Sequence, residues 1–179
     1  MRINRTRYAF LFILTLVLLA GPADAALNAY MALTDEPGGT PIMGGSTQTG
    51  REGQVEVNEF HHLMEIPGGQ TTVDHQTVIV TVNSNDPSLP ILLQKMDANG
   101  LLGVTVHFWE PNGVGQEVDF LDVTLTDAKL VSVETLLPDN RVPELQALTT
   151  SARLRFTYAT IDFNNIGAAL NHTMTNTGN

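Results

Sequence analysis

Histidines at His61, His62, His75 and His107, and carboxylates at Glu117, Asp119 and Asp122, are the side chains of this 179-residue chain best suited to chemistry. Imidazole and carboxylate bind metals and carry protons. Yet His61 and His62 lie in a stretch that alternates like a strand, and neighbours on a strand point to opposite faces. They cannot ligate one ion from regular geometry; His75 or His107 would have to join one of them. No His-x-Glu or His-x-x-x-His spacing supports that. The expectation is no metal, with histidines satisfied internally or lying at the surface. Asp119 with Asp122, or Glu117 with Asp119, could form an acid/base pair. Nothing flanking them sets one apart from the other, so solvated strand faces explain them more simply. There is no Gly-x-Ser-x-Gly elbow and no cysteine, which removes two familiar routes to a nucleophile. The glycines between Gly38 and Gly53 lack the strand–loop–helix order of a phosphate cradle. Asn171-His172-Thr173 fits a glycosylation sequon, a weak signal. No catalytic residue, no cofactor and no enzyme activity are expected.

The elements that must position these groups begin after a leader. Arg2, Arg5 and Arg7 precede an uncharged run from Tyr8 to Ala20. Gly21-Pro22 breaks the run, and Ala23-Asp24-Ala25 supplies the small residues a signal peptidase needs, so cleavage is expected between Ala25 and Ala26. The run is shorter than the roughly 20 residues of a membrane helix. Residues 1–25 therefore read as a signal peptide directing the rest to the periplasm or outside the cell, with no membrane association after cleavage; the alternative is an uncleaved N-terminal anchor. The chain from Ala26 onward keeps six of nine basic and eighteen of nineteen acidic residues, a formal charge of −12. That surface repels phosphate backbones, which argues against nucleic acid as a partner. Without cysteine, the domain must hold together by burial and sheet hydrogen bonds.

Period-two alternation dominates the chain beyond the leader. Asn28 to Leu33 reads as an opening strand. Residues 34–53, TDEPGGTPIMGGSTQTGREG, combine Gly, Pro, Ser and Thr with almost no apolar period and read as a long loop, functional or mobile. Gln54 to Ile66 reads as one strand. A bulge near Asn58-Glu59 would turn Val55, Val57, Phe60, His62, Met64 and Ile66 to one core. Pro67-Gly68-Gly69 makes a turn, and Thr77 to Val82 a strand. NDPSLPILLQKMDANG at 85–100 reads as the one helix, with Asp86 or Ser88 as N-cap, Leu89, Leu92 and Met96 on one stripe, and Asn99-Gly100 as the stop. Val104, Val106 and Phe108 alternate inward before the turn Pro111-Asn112-Gly113. Val118 to Val133 reads as two strands or one bent one. In Ser151 to Ile161, Ala152, Leu154, Phe156 and Tyr158 face inward. Residues 137–150 read as a loop, and 164–179 as a flexible polar tail. The sum is a mainly β domain over 26–163, a small barrel or sandwich of antiparallel strands with one lateral α-helix.

In this order the elements resemble the Hcp family, the haemolysin-coregulated proteins that form the tube of type VI secretion systems. LNAYMAL is similar to the family's opening strand, and the Gly-rich stretch after it to the family's extended loop. GQVEVNEFHHLMEIPG resembles its E-I-x-V-x-S-W-x-x-G strand through Glu56 and Val57, with Phe60 near the usual tryptophan. NDPSLPILLQKMDANG resembles the segment in which S-P-x-L opens the helix. EVDFLDVTLTDAKLVSVE is similar to Y-x-x-x-x-L-x-D-V-L-V-S-S, through Phe120, Leu125, Asp127, Leu130, Val131 and Ser132. The resemblance covers about Leu27 to Asp162. It implies a structural subunit whose copies close into six-membered rings and stack into a tube that can carry secretion effectors or meet a spike protein. It also implies that the extended loop, here Asp35, Pro37, Gly38, Gly39, Pro41, Met43, Gly44 and Gly45, reaches the next ring. Open barrel edges would supply further contacts. The leader departs from the family's usual start at the opening strand. The alternative is a secreted, monomeric binding module on the same barrel.

Overall fold

The computed structural model describes residues 27–69, 71–138, 141 and 149–176. The leader, with Ala23, Ala25 and Ala26, lies outside them, as does most of the expected 137–150 loop. Among the described residues, eleven strands and one helix occur in this order: β1 (Asn28–Glu36), β2 (Thr40–Ile42), β3 (Val55–His61), β4 (Met64–Glu65), β5 (Asp74–His75), β6 (Val78–Asn83), α1 (Leu89–Asp97), β7 (Leu101–Pro111), β8 (Glu117–Leu136), β9 (Ser151–Thr157), β10 (Thr160–Asn165) and β11 (Leu170–Thr175).

Antiparallel pairing runs β8–β7–β1–β3–β6–β9, and β9 pairs again with β8. Six strands thus close a barrel. Its interior is filled by the inward parity of each strand: Met31, Val55, Val78, Val80, Val82, Leu102, Val104, Val106, Val123, Leu125, Leu154 and Phe156. The alternation read from the sequence is this parity. Closure also removes the open barrel edges expected from the sequence. Among the described residues, the long sheet instead ends at β11, while β2 extends the edge of β1 beyond its pairing with β3.

The expected long strand Val118–Val133 is one bent strand, β8. Leu102 pairs with Ala128 and Val104 with Leu125, so Thr126 and Asp127 together oppose Gly103. Asp127 takes a positive φ of 50° at this bulge, where Asp is better tolerated than most side chains. A Cβ on Gly103 would collide with the Thr34 hydroxyl. The break at Tyr158–Ala159 falls opposite the bulge, with Ala159 N–H donating to the Thr126 carbonyl at 3.0 Å. One edge of β8 therefore serves β10 through residues 121–126 and β9 through 129–136.

Two expectations are corrected. The polar tail is not without structure: β10 and β11 form a hairpin, and residues 164–175 belong to it or to its turn. Ile161 is buried, and Phe163 and Met174 pack on the core. Asp162 on the other face accepts hydrogen bonds from Thr173 at 2.7 Å and from Asn171 at 3.1 Å. The expected strand Gln54–Ile66 is in fact two, β3 and β4. The bulge between Val57 and Glu59 is present and turns Phe60 toward the core. Ile66 is exposed, and Met64 pairs with His75 in a separate two-stranded hairpin.

Helix α1 starts where expected but is not capped by Ser88, whose side chain makes no cap bond. Asp86 organises the turn instead. Its Oδ1 accepts the Ser88 N–H at 2.9 Å and the Ser88 hydroxyl at 2.6 Å, while Oδ2 accepts the Gly45 N–H at 3.0 Å. Leu89 and Leu92 bury the apolar stripe, Met96 packs beside it, and the helix lies against β8. Asp86→Ala would strip three donors of their acceptor, Ser88 being fully buried. It should destabilise the fold by roughly 1–3 kcal/mol in urea unfolding, with Asp86→Asn milder because its carbonyl still accepts.

Candidate functional site

The Gly-rich stretch 34–53 is not a long loop. Its first part is a hairpin: Leu33 pairs with Ile42, Thr34 with Pro41 and Asp35 with Thr40. The Gly39 N–H donates to the Asp35 carbonyl at 2.7 Å, and Gly39 takes a φ of 63° that suits glycine. Residues 37–41 are exposed at the tip, and Met43 is 57% exposed. Asp35 anchors the tip to α1 through an ion pair of 2.5 Å with Lys95. Asp35, Pro37, Gly38, Gly39, Pro41 and Met43 therefore sit on one projecting hairpin and the residue after it.

Gly44 and Gly45 do a different job from the other expected loop residues. The Gly44 N–H donates to the Gly53 carbonyl at 2.6 Å, that of Gly53 to Ser46 at 2.9 Å, and that of Ser46 to Gln54 at 2.9 Å. These bonds close residues 44–53 into a lobe. A Cβ on Gly44 would lie 2.5 Å from the Gln54 carbonyl, so the close approach demands glycine here. The lobe carries Arg51 onto the outer face of the barrel. Its guanidinium, 4% exposed, lies 3.9 Å from the Trp109 ring centroid and 4.9 Å from that of Tyr30, and it pairs with Glu117 at 2.6 Å. Asn28 donates to the other Glu117 oxygen, and these bonds hold the Glu117 carboxyl below its usual range. Nothing in the sequence near Arg51 announces this role, because its partners lie on β1, β7 and the start of β8.

The same outer face gathers His107, Asp119 and Asp122. His107 Nδ1 lies 2.6 Å from Asp122 Oδ1 and 3.1 Å from Asp119 Oδ2. On a regular strand Asp119 and Asp122, three apart, would face opposite sides. The register explains why they do not: Phe108 pairs with Leu121 and Trp109 with Asp119, leaving Phe120 as an extra residue that resets the parity. Burial, and next the charge of Asp122, push the Asp119 carboxyl above its usual range. The expectation of solvated strand carboxylates is therefore corrected: both side chains are about four-fifths buried. Glu117 and Asp119 do not form a pair, since one serves Arg51 and the other His107.

The remaining histidines divide. His61 is exposed, while His62 and His75 both reach the Tyr158 hydroxyl, at 2.7 and 3.2 Å. Since that hydroxyl has a single proton, one neutral imidazole accepts it and the other donates. The shared bond fastens the β4–β5 hairpin to the end of β9. Burial pushes the Tyr158 hydroxyl up to about 12. Burial also lowers His62, helped by His75 and His61.

Two of these contacts can be tested directly. Arg51→Ala should loosen the 44–53 lobe, seen as faster hydrogen exchange at Gly44, Ser46 and Gly53. Its stability cost should be roughly 1–3 kcal/mol, because Glu117 stays near solvent. For His62 the folded state resists a proton that the unfolded state accepts. Stability should therefore fall as pH drops below 6.5 toward the lowered folded value, and His62→Gln should flatten that slope in melting curves taken from pH 7.5 to 5.

A family model described as "Type VI secretion system effector, Hcp" matches residues 30–164. No curated protein matches the chain. Among solved structures, Hcp1 from E. coli EAEC 042 is similar with a TM-score of 0.73 at 24% identity, over 84% of this chain and 98% of that one. A structure described as Hcp protein gives 0.76 at 19% identity over the same shares. The secreted protein Hcp3 from Pseudomonas aeruginosa gives 0.70 at 22% identity, again over 84% and 98%. At these identities the structures speak for the fold, and the family model speaks for the lineage: the chain belongs to the Hcp family of type VI secretion proteins.

Proposed function

We propose that this protein is a structural tube subunit of a type VI secretion system, assembling as six-membered rings that stack. The observation that carries the reading is the family match across the whole barrel, from β1 into β10. Physical features agree with it. A closed barrel with one lateral helix is a rigid brick, and a ring needs a subunit whose shape does not adapt. The β1–β2 hairpin projects from that brick already ordered, anchored by Asp35–Lys95 and followed by the closed 44–53 lobe. Docking such a hairpin forfeits little conformational freedom. Asp35, Pro37, Gly38, Gly39, Pro41 and Met43 are the residues that meet the next ring. Gly44 and Gly45 support them from inside the subunit.

The role is structural rather than catalytic, with the same chain as principal partner and secretion effectors or a spike protein as secondary ones. Residues 1–25 act as a cleaved leader that places the 26–163 domain in the periplasm or outside the cell. Light scattering coupled to gel filtration, with negative-stain imaging of each peak, tests the assembly on residues 26–179. Rings of about six subunits are expected, and Met43→Glu should leave rings intact while abolishing stacks. A strict monomer at every concentration would overturn the reading and favour a monomeric secreted binding module.

A further inference from the structure

We infer that His107, Asp119 and Asp122 form a binding site for a divalent transition-metal ion, with zinc the preferred occupant. Among the described residues this is the one group of three metal-ligating side chains whose donor atoms all lie within 4.8 Å of one another. The donors come from adjacent strands, His107 from β7 and both carboxylates from β8, so their backbones are fixed by the barrel sheet. The bulge at Phe120 is what turns the third donor to the same face. Bulges recur next to functional sites because they re-aim a side chain in this way.

The geometry suits a small ion. A tetrahedral ion with bonds near 2.0–2.1 Å holds its donors about 3.3 Å apart. His107 Nδ1 and Asp119 Oδ2 are 3.1 Å apart, and Nδ1 and Asp122 Oδ1 2.6 Å. A modest side-chain rotation would open the second pair, and the ion would replace the shared proton between the imidazole and the carboxylates. The other oxygen of the same carboxylate, Asp119 Oδ1, is buried and finds no hydrogen-bond partner among the described residues. A buried carboxylate oxygen left unpaired is costly, and a cation bound by this carboxylate would offset that cost. The three side chains keep 19–24% exposure, which leaves a fourth position open to solvent.

The donor set selects the ion. Calcium takes six to eight oxygens and magnesium keeps mostly oxygen and water around it, whereas an imidazole with two carboxylates suits zinc and its neighbours. Two carboxylates also match the double charge. Bound there, the ion cross-links β7 and β8 on the outer face of the barrel.

The test strips the purified full chain with chelator and equilibrates it with zinc, measuring retained metal by equilibrium dialysis and the melting temperature in parallel. The expected result is one equivalent of zinc per chain and a higher melting temperature, since ligands that bind only the folded state stabilise it. Asp122→Asn and His107→Gln should lose both, His62→Gln should keep both, and magnesium or calcium should shift nothing. Should His107→Gln fail to fold, Asp122→Asn decides, because it keeps the side-chain shape. Retention by Asp122→Asn equal to that of the parent would overturn the inference. So would loss of the zinc in His62→Gln, or equal stabilisation by calcium.

Discussion

Everything in this fold hangs on how strand β8 divides one edge between two partners. A sheet closes into a barrel only if its last strand bends round to meet its first, and β8 does so at the Thr126–Asp127 bulge. Beyond the bulge its edge holds β9, whose other edge holds β6 and completes the ring of hydrogen bonds. Before the bulge the same edge holds β10 and then β11. One positive-φ aspartate opposite one glycine thus separates a closed barrel from an open extension. Closure spares a cysteine-free domain most of the exposed strand edges that invite aggregation, and it leaves specific contacts to the features that project.

Those features are held by charged groups acting at long range in sequence. Asp86 joins the start of the helix to Gly45, 41 residues away. Arg51 reaches Glu117 across 66 residues and lies against two aromatic rings. Lys95 reaches back from the helix to the hairpin tip. Without such ties, residues 34–53 would have little apolar surface to bury and large conformational freedom to lose. With them, a Gly-rich segment becomes a rigid protrusion. The outer face of β1, β7 and β8, which carries Arg51, Tyr30, Trp109, His107 and the two aspartates, is correspondingly more organised than an ordinary solvated sheet surface.

Much of this was legible in the sequence, and the exceptions share a cause. The alternation of Val104, Val106 and Phe108, the stripe of Leu89, Leu92 and Met96, and the bulge after Val57 all depend on residues a few positions apart. The β1–β2 hairpin, by contrast, has Pro41 in its short strand and no apolar period. Its order comes from main-chain pairing and from Lys95. The β10–β11 hairpin is written mostly in Asn and Thr, and only Ile161, Phe163 and Met174 tie it to the core. The family resemblance extended further than the periodicity, because five stretches in order constrain a fold more than any one of them alone.

The class of the domain can be read from the chain alone: which residues alternate into a core, where the helix packed on the barrel lies, and that it carries neither a cysteine nor a Gly-x-Ser-x-Gly elbow. Period-two and period-3.6 patterns are local, so each segment declares its buried face whatever it later pairs with. That the barrel closes, that the Gly-rich segment is ordered, and that Asp119 and Asp122 join His107 on one face emerge only once the strands are paired. Those outcomes depend on register, and register is set jointly by two strands. One extra residue at Phe120 turns over the side chains that follow it as far as the Thr126–Asp127 bulge, which turns the strand again, and nothing within β8 alone says where its partner will admit either.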